Sequence, residues 1–121
     1  MISTCIIAEH DPWDIRLFRV YVERAGFRVV QAYESQDVLP VAHRERPAVI
    51  LLESELPGRL DPQAVLTGLK QDPSTHHVPV VILSWADTVA AREMIPGAAS
   101  YLRKPATYEA FLAALTEAGV G

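Results

Sequence analysis

The fold is indicated most clearly by the run Ala48-Val49-Ile50-Leu51-Leu52-Glu53-Ser54-Glu55-Leu56-Pro57-Gly58. Its first five residues are all apolar, do not alternate with polar ones, and lead directly into acidic residues and a Pro-Gly pair. Short apolar runs of this kind are typical of strands buried on both faces of a parallel sheet. In such sheets the functional site lies beyond the carboxyl ends of the strands. The run therefore predicts a buried strand over residues 48–52, with candidate site residues directly after it.

Four more runs of the same kind lie on either side of this one. They are short, rich in Val, Ile and Leu, and cover residues 5–8, 27–32, 78–84 and 101–103. The stretches between and after these runs carry apolar residues at helical spacing. We predict helices over residues 12–25 and 36–46, a third from Asp61 onward, and two more over residues 88–95 and 107–118.

Capping residues and prolines mark the helix ends. Asp11 is the predicted N-cap of the first helix, with Pro12 at its first position and Gly26 after its last. Pro40 falls inside the second predicted helix, where proline is tolerated only in the first turn or as a kink. The fifth helix is predicted to bury one face, formed by Tyr108, Phe111, Leu112 and Leu115.

Five strands that alternate with five helices predict right-handed βαβ units and a doubly wound parallel sheet. The chain has 121 residues, enough for one hydrophobic core and too few for two. No internal repeat, linker or low-complexity run interrupts the alternation. We therefore predict a single α/β domain over residues 1–121.

The composition excludes several classes of protein. Half of the residues are hydrophobic, 21% are charged and the formal net charge is −4, so the chain lacks the basic surface expected of a nucleic-acid-binding domain. No apolar stretch approaches the length of a membrane span, and no signal peptide precedes the first strand. The single cysteine, Cys5, lies in an apolar run and excludes an internal disulfide. We expect a cytoplasmic protein.

Polar residues follow four of the predicted strands. They are Glu9, His10 and Asp11 after the first, Glu53, Ser54 and Glu55 after the third, Ser84 and Trp85 at the end of the fourth, and Lys104 and Pro105 after the fifth. We expect Glu9, Asp11, Glu53 and Glu55 to form an acidic cluster that could attract a cation. His10 with Glu9 and Glu53 could hold a softer divalent metal such as zinc, or His10 could simply be solvated.

These motifs, in this order, resemble the receiver domain of bacterial response regulators along the whole chain. The segment from Ile6 to Pro12 resembles the acidic start of a receiver, and the segment from Leu51 to Gly58 resembles the motif around its phosphate-accepting aspartate. Ser84 matches the hydroxyl residue after the fourth strand, and Lys104-Pro105 matches the lysine-proline turn after the fifth. The resemblance implies a flavodoxin-like, three-layer α/β/α fold with five helices and the strand order 2-1-3-4-5.

The resemblance also implies a mechanism for an active receiver. The aspartate after the third strand accepts a phosphoryl group from a histidine kinase or a small donor. A magnesium ion held by the acidic pair neutralises charge, while the lysine and the hydroxyl bind phosphoryl oxygens. Phosphoryl transfer of this kind depends on positioning and on charge neutralisation.

Two positions depart from that pattern. Glu53 stands where the acceptor aspartate belongs, and its carboxylate extends about 1.5 Å further, one extra C–C bond. A displacement of that size can cost on the order of 100-fold in rate. His10 replaces the second acid of the pair, and an imidazole nitrogen is a poor ligand for magnesium. We expect phosphorylation to be lost and magnesium binding to be weak or lost, with no cofactor in its place.

Two interpretations of Glu53 remain open from the sequence. Its longer side chain could reach Lys104 and Ser84 and partly imitate a phosphoryl group, although it carries less charge and fewer oxygens. Alternatively, Glu53 and Lys104 form a plain structural ion pair that holds the strand ends together.

Trp85, Tyr101 and Pro105 belong to the predicted switch and output region. Tyr101 matches the aromatic residue that, in the family, rotates inward on activation, and we expect it to be fixed in one rotamer. Trp85 could fill the space that Tyr101 would enter, or it could be exposed as part of a binding patch. The resemblance implies a protein partner, which could be a second copy of the chain, on the face formed by the fourth helix, fifth strand and fifth helix. The fourth helix is short, so this face is expected to be reshaped.

The sequence thus favours a signal-transduction domain that acts by protein–protein interaction and is not phosphorylated. The alternative is a conventional phosphotransfer receiver that uses a shifted acceptor, Asp11 or Glu53, or a different metal. No glycine-rich phosphate loop, nucleophile elbow or Cys/His pair suggests an enzyme. The resemblance places residues 119–121 at the end of a receiver, which leaves open whether an output domain follows.

Overall fold

A computed structural model describes residues 1–121, in which strands and helices alternate from end to end. The strands are β1 (Thr4–Ala8), β2 (Arg28–Ala32), β3 (Val49–Glu53), β4 (Val80–Ser84) and β5 (Ser100–Arg103). The helices are α1 (Pro12–Arg24), α2 (Ser35–Glu45), α3 (Pro62–Gln71), α4 (Thr88–Met94) and α5 (Tyr108–Glu117).

All five strands are parallel and form one sheet in the order β2-β1-β3-β4-β5, which confirms the predicted flavodoxin-like topology. Cys5 lies opposite Val29 on one side and Val49 on the other, so β1 and β3 occupy the interior of the sheet. Every residue of β1, β3 and β4 is buried, whereas the edge strand β2 is partly exposed. This burial explains why the central strands have continuous apolar sequences.

Successive side chains of each strand enter two different cores, because strand side chains alternate between the faces of a sheet. Ile6 and Ala8 of β1 join the core that is completed by α2, α3 and α4. Cys5 and Ile7 join the core on the opposite face, where α1 and α5 pack. The sheet therefore lies between two helical layers, as the three-layer prediction requires.

Side-chain caps fix the beginnings of the helices that follow the site loops. The Asp11 carboxylate accepts hydrogen bonds from the amides of Trp13 and Asp14 at the start of α1. Asp61 caps α3 and Thr107 caps α5 in the same way. These bonds satisfy amides that have no partner within the helix, so the sequence signals for the helix starts have a direct physical cause.

Pro40 lies inside the second helix, and of the two places where proline is tolerated the first turn is not the one that it occupies. Because α2 begins at Ser35, Pro40 is the sixth residue of the helix and lies in its second turn. Proline has no amide to donate to the carbonyl four residues earlier, that of Gln36. Pro40 lies on the exposed side of α2, where water can bond the freed carbonyl.

Two predictions need correction. Leu112 does not share the buried face of α5: it is 38% exposed, while Phe111 and Leu115 are buried. Leu112 is one residue, or about 100° of helix, away from Phe111, and so it points outward. The fourth strand begins at Val80, because Val78 belongs to a turn in which its amide donates to the carbonyl of Thr75.

Gly58 holds the loop after β3 against the start of α2. Its φ of 136° lies in a region that side chains rarely adopt, and an added Cβ would overlap Ser35 and the side chain of Gln36. Ser35 Oγ accepts a hydrogen bond from the amide of Leu60, 2.9 Å away, and Gln36 Oε1 accepts one from the amide of Arg59. This close approach fixes the loop that carries Ser54 and Glu55.

None of the helices combines the length and the apolar character that spanning a membrane requires.

We predict that Phe18→Ala lowers the free energy of unfolding by about 3–5 kcal/mol, because it removes a large side chain from a closed core. Phe18 is fully buried, with its ring edge-on to Tyr21 and tilted against Phe111. Urea unfolding measured by circular dichroism gives the value. Val20→Ala, on the exposed side of the same helix, should change the stability by about 0.5 kcal/mol or less. Equal losses in the two variants would contradict this packing.

Candidate functional site

The carboxyl ends of the parallel strands bring four predicted residues to one edge of the sheet. Glu9 directly follows β1, Glu53 ends β3, Ser84 ends β4, and Lys104 directly follows β5. All four side chains are buried. Buried ionisable groups must find charged or hydrogen-bonding partners, so their contacts define what the site can do.

The ammonium group of Lys104 lies at the centre of the site. Lys104 Nζ is 3.1 Å from Glu9 Oε2, 3.1 Å from Asp14 Oδ2 and 3.0 Å from Glu53 Oε1. A lysine ammonium has three N–H donors and no acceptor. Lys104 donates hydrogen bonds to Glu9 and Asp14, and the Glu53 carboxylate adds a third ion pair.

Backbone amides hold two of the carboxylates from their other side. Glu9 Oε1 accepts hydrogen bonds from the amides of His10 at 3.0 Å and Asp11 at 3.3 Å. Glu53 Oε2 accepts a hydrogen bond from the amide of Glu55. Both glutamates are thus fixed between a local turn and the lysine, and neither side chain is free to move independently of the loops.

Burial and charge act in opposite directions on these groups. Burial disfavours the ammonium form of Lys104, but hydrogen bonds and attraction from Glu53 and Glu9 outweigh it and raise the pKa of Lys104 above its ordinary value. Burial is also the largest influence on Glu9. It outweighs the attraction of Lys104 and the amide of His10, and it raises the pKa of Glu9 with a further contribution from the Glu53 charge. One ammonium therefore does not compensate all the negative charge around it.

Asp14 is the site residue that the sequence analysis missed. It lies in the first turn of α1 and is buried, and its carboxylate faces Lys104. A signal was present in the sequence: Asp14, Phe18 and Val22 are spaced four residues apart and share the buried face of α1. An acid on that inward stripe needs a buried cation.

The acidic cluster predicted from Glu9, Asp11, Glu53 and Glu55 does not form as expected. Asp11 is committed to capping α1, and the side chain of Glu55 is exposed. Only Glu9 and Glu53 converge, and Asp14 joins them from the helix. His10 lies at the edge of the group, 46% exposed, with Nδ1 3.4 Å from Glu9 Oε1.

Glu53 contacts Lys104 but makes no hydrogen bond to Ser84, so of the contacts in the two interpretations of Glu53 only the Lys104 ion pair is present. Ser84 Oγ instead accepts hydrogen bonds from the hydroxyl of Ser54 and the amide of Ala86, each at 3.1 Å. The bonds from Lys104 and Glu55 hold both Glu53 oxygens away from the serine.

Tyr101 is buried, and its hydroxyl has two backbone partners. It donates to the carbonyl of Ile95 at 2.5 Å and accepts from the amide of Ala98 at 3.2 Å. The guanidinium of Arg92 lies 4.6 Å from the centre of its ring. Tyr101 therefore occupies the inward position.

Trp85 is 54% exposed and does not fill the space of Tyr101, so the structure favours its alternative placement on the surface. Its ring centre lies 5.2 Å from Lys104 Nζ, within the range of a cation–π contact. Pro105 is also exposed, after a cis peptide bond with Lys104. Trp85 thus borders the ion-pair group on one side and solvent on the other.

We predict that Lys104→Met lowers the free energy of unfolding at neutral pH by about 3–5 kcal/mol, because it leaves three buried carboxylates without their cation. Lowering the pH towards about 4 should reduce the difference from the wild type, because protonation removes the unpaired charges. Denaturant unfolding at several pH values measures both effects. The control is Lys70→Met, at the other lysine of the chain, which is exposed. It should lower the free energy of unfolding by about 1 kcal/mol or less. A loss at Lys104 that does not depend on pH would contradict the charge argument.

Comparison with known proteins identifies the family. Residues 5–116 match the response regulator receiver domain. The response regulator PleD of Caulobacter vibrioides is 30% identical over 107 residues, which cover 87% of this chain and 23% of PleD. The chain thus spans about a quarter of that relative. The polar-differentiation response regulator DivK of Brucella anthropi is 26% identical over 114 residues, which cover 93% of this chain and 92% of DivK.

Solved structures show the same fold. The chemotaxis response regulator CheY4 of Vibrio cholerae superposes with a TM-score of 0.86 at 17% identity, covering 98% of this chain and 99% of CheY4. The receiver domain of a sensor histidine kinase from Pseudomonas aeruginosa PAO1, solved with a magnesium ion in its active-site cleft, gives a TM-score of 0.84 at 20% identity with the same coverage. From its fold, its strand-end residues and the match over residues 5–116, we conclude that the chain belongs to the response regulator receiver domain family.

Proposed function

We propose that this receiver domain signals by binding a protein partner and does not accept phosphate. The observation that carries the proposal is the crowding of Lys104 Nζ by three buried carboxylates at 3.0–3.1 Å, of which Glu9 and Asp14 also accept hydrogen bonds from it. A phosphoryl oxygen could reach the ammonium only by displacing one of these ion pairs, because the lysine has only three N–H groups. Each broken pair would leave a carboxylate buried and uncompensated, which is strongly unfavourable.

The environment of Glu53 argues in the same direction. One of its oxygens contacts Lys104 and the other accepts the amide of Glu55, so neither is free to attack a phosphoryl donor. The side chain is also one C–C bond longer than aspartate, which displaces the oxygens by about 1.5 Å. In-line transfer is sensitive to displacements of this size.

The residues do not fit a magnesium ion, which prefers oxygen ligands in octahedral geometry at about 2.0–2.1 Å. His10 offers a nitrogen at the position of the second acid. We propose that magnesium binding is weak or lost and that no other cofactor is needed for the signalling role.

The contacts of Glu53 and Tyr101 favour a fixed conformation over phosphoryl mimicry. Glu53 pairs with Lys104 without engaging Ser84, and so it connects to only half of the phosphate-binding pair that the family uses. Tyr101 is held inward by the backbone of Ile95 and Ala98, neither of which contacts Glu53. We propose that the output face keeps one conformation whether or not a kinase is present.

The face formed by α4, β5 and α5 is the proposed partner surface. It exposes apolar side chains on both helices, Val89 on α4 and Leu112 on α5, with Trp85 just before α4. Arg92 and Glu117 bridge the two helices with an N–O distance of 3.8 Å. Exposed aromatic and apolar groups with charged neighbours are typical of protein interfaces. The partner is a protein, which can be a second copy of this chain, and not a nucleic acid.

The test is incubation of the full chain with acetyl phosphate and magnesium, followed by intact mass spectrometry. We expect no phosphoryl adduct on the wild type. The variant His10→Asp/Glu53→Asp/Asp14→Asn returns oxygen ligands and an aspartate acceptor and replaces one ion pair of Lys104 by a weaker, neutral contact, so we expect it to gain a phosphoryl group. The variant without the Asp14 change should gain less, because Lys104 remains more fully paired. A stable phosphoryl group on Glu53 of the wild type would overturn the proposal.

The alternative, a conventional phosphotransfer receiver with a shifted acceptor or another metal, has less support. Asp11 bonds two amides at the start of α1, so its use as an acceptor would uncap the helix. Magnesium titration of a Trp13→Phe variant, in which Trp85 is the only tryptophan and can be excited selectively near the red edge, separates the two functions. Our proposal predicts no saturable change of Trp85 fluorescence at millimolar magnesium, whereas the alternative, if it uses this metal, predicts saturation.

A further inference from the structure

The buried charges at the site do not balance. Its buried acids are Glu9, Asp14 and Glu53, and the only buried base in the chain is Lys104. When all four groups are ionised, two negative charges remain without a buried positive partner. A charge inside a protein is stable only when it is paired, protonated or bound to a metal. The arrangement therefore has the charge to accept one divalent cation.

The two oxygens of Glu9 point to different partners. Oε2 contacts Lys104 on the inner side, and Oε1 lies 3.4 Å from His10 Nδ1 on the outer side. Donor atoms of Glu9, His10 and Glu53 all lie within 4.8 Å of one another. Two ligand atoms of one tetrahedral metal ion at about 2.0–2.2 Å lie about 3.3–3.6 Å apart, so the wider separations in this group must close by about 1 Å.

His10 makes this group accessible and sets its chemistry. Glu9 and Glu53 are buried, but the His10 side chain is 46% exposed and gives a path from solvent. One imidazole nitrogen with two carboxylate oxygens is a donor set that suits zinc and neighbouring transition metals and does not suit magnesium. Asp14 remains with Lys104 and neutralises it, so Glu9 and Glu53 keep their charges for the cation.

We propose that Glu9, His10 and Glu53 form a binding site for a transition-metal dication of the zinc class. The site uses the mouth of the cleft beside Lys104 and leaves the ion pairs of the lysine in place. The substitution that disfavours magnesium, His10 for an acid, is the one that supplies the nitrogen ligand. This inference goes beyond the proposed function, since partner binding does not require a metal.

The test is a titration of the full chain with ZnCl2, followed by isothermal calorimetry, and a parallel titration with CoCl2, followed by visible absorption. We expect one equivalent of zinc to bind with a Kd on the order of 10 μM, which is about 100-fold tighter than millimolar binding. Bound cobalt should give d–d bands that report a nitrogen and oxygen ligand set. Magnesium should give no heat at the same concentrations.

Two matched variants locate the site. His10→Phe removes the nitrogen but keeps a ring of similar size at a half-exposed position, and we expect it to weaken zinc binding at least about tenfold. His77→Phe removes an exposed imidazole from the His76–His77 pair, which could also attract zinc, and should leave the affinity unchanged within about twofold. Thermal unfolding without metal checks that both variants fold like the wild type.

Several results would overturn the metal site. They are the absence of zinc binding to the folded wild type at about 100 μM, unchanged affinity in His10→Phe, or a loss in His77→Phe instead. Amide shifts in a ¹H–¹⁵N spectrum provide a second readout, because zinc should move the signals of His10, Asp11 and Glu55 first. None of these measurements depends on acetyl phosphate, so failure of the metal site and failure of the proposed function are separate outcomes.

Discussion

The ion pairs of Lys104 join parts of the chain that are far apart in sequence. Its ammonium contacts Glu9 after β1, Asp14 in α1 and Glu53 at the end of β3, while its own backbone amide bonds the carbonyl of Ser84 at the end of β4. Transfer of these charges out of water is costly, and only close mutual pairing offsets that cost. The positions of the strand ends, the first turn of α1 and the loop after β3 all depend on keeping this group together.

In this fold, the residues that position the strand ends differ from the residues that carry out signalling. The hydrophobic cores on the two faces of the sheet position the strand ends, and they do so with 17% identity to a chemotaxis regulator of the same fold. Signalling by phosphate needs a lysine that can exchange partners when the phosphoryl group arrives. Here three buried carboxylates already surround Lys104, so a phosphoryl oxygen would have to compete with them for the ammonium. Function in such folds is set by a few site residues and not by the scaffold.

The same group has an unequal charge balance, and this imbalance shapes the mouth of the cleft. Three acids surround one base, and burial raises the pKa of Glu9 because its charge is not fully compensated. His10 and Trp85 lie at the border between these charges and solvent, one beside Glu9 and the other against Lys104. An exposed imidazole and an exposed indole next to buried charge are the parts of the site that an ion or a partner would meet first. The output region is held separately, through the hydroxyl of Tyr101 and the backbone around Ile95.

Local patterns were enough to predict the fold, the strand order through the family resemblance, and the two substitutions at the family's phosphate-site positions, because apolar runs, caps and spaced motifs can all be read along the chain. They placed Glu53, Lys104 and Ser84 at one edge of the sheet, since the ends of parallel strands must meet there. Which of these side chains touch depends on how the chain packs: Asp14 takes the place expected for Asp11 in the acidic group, and Ser84 bonds Ser54 and not Glu53. Several carboxylates compete for a single buried ammonium, and the ones that pair with it are those that cannot reach water once the cores have packed. A local sequence pattern does not predict the outcome of that competition.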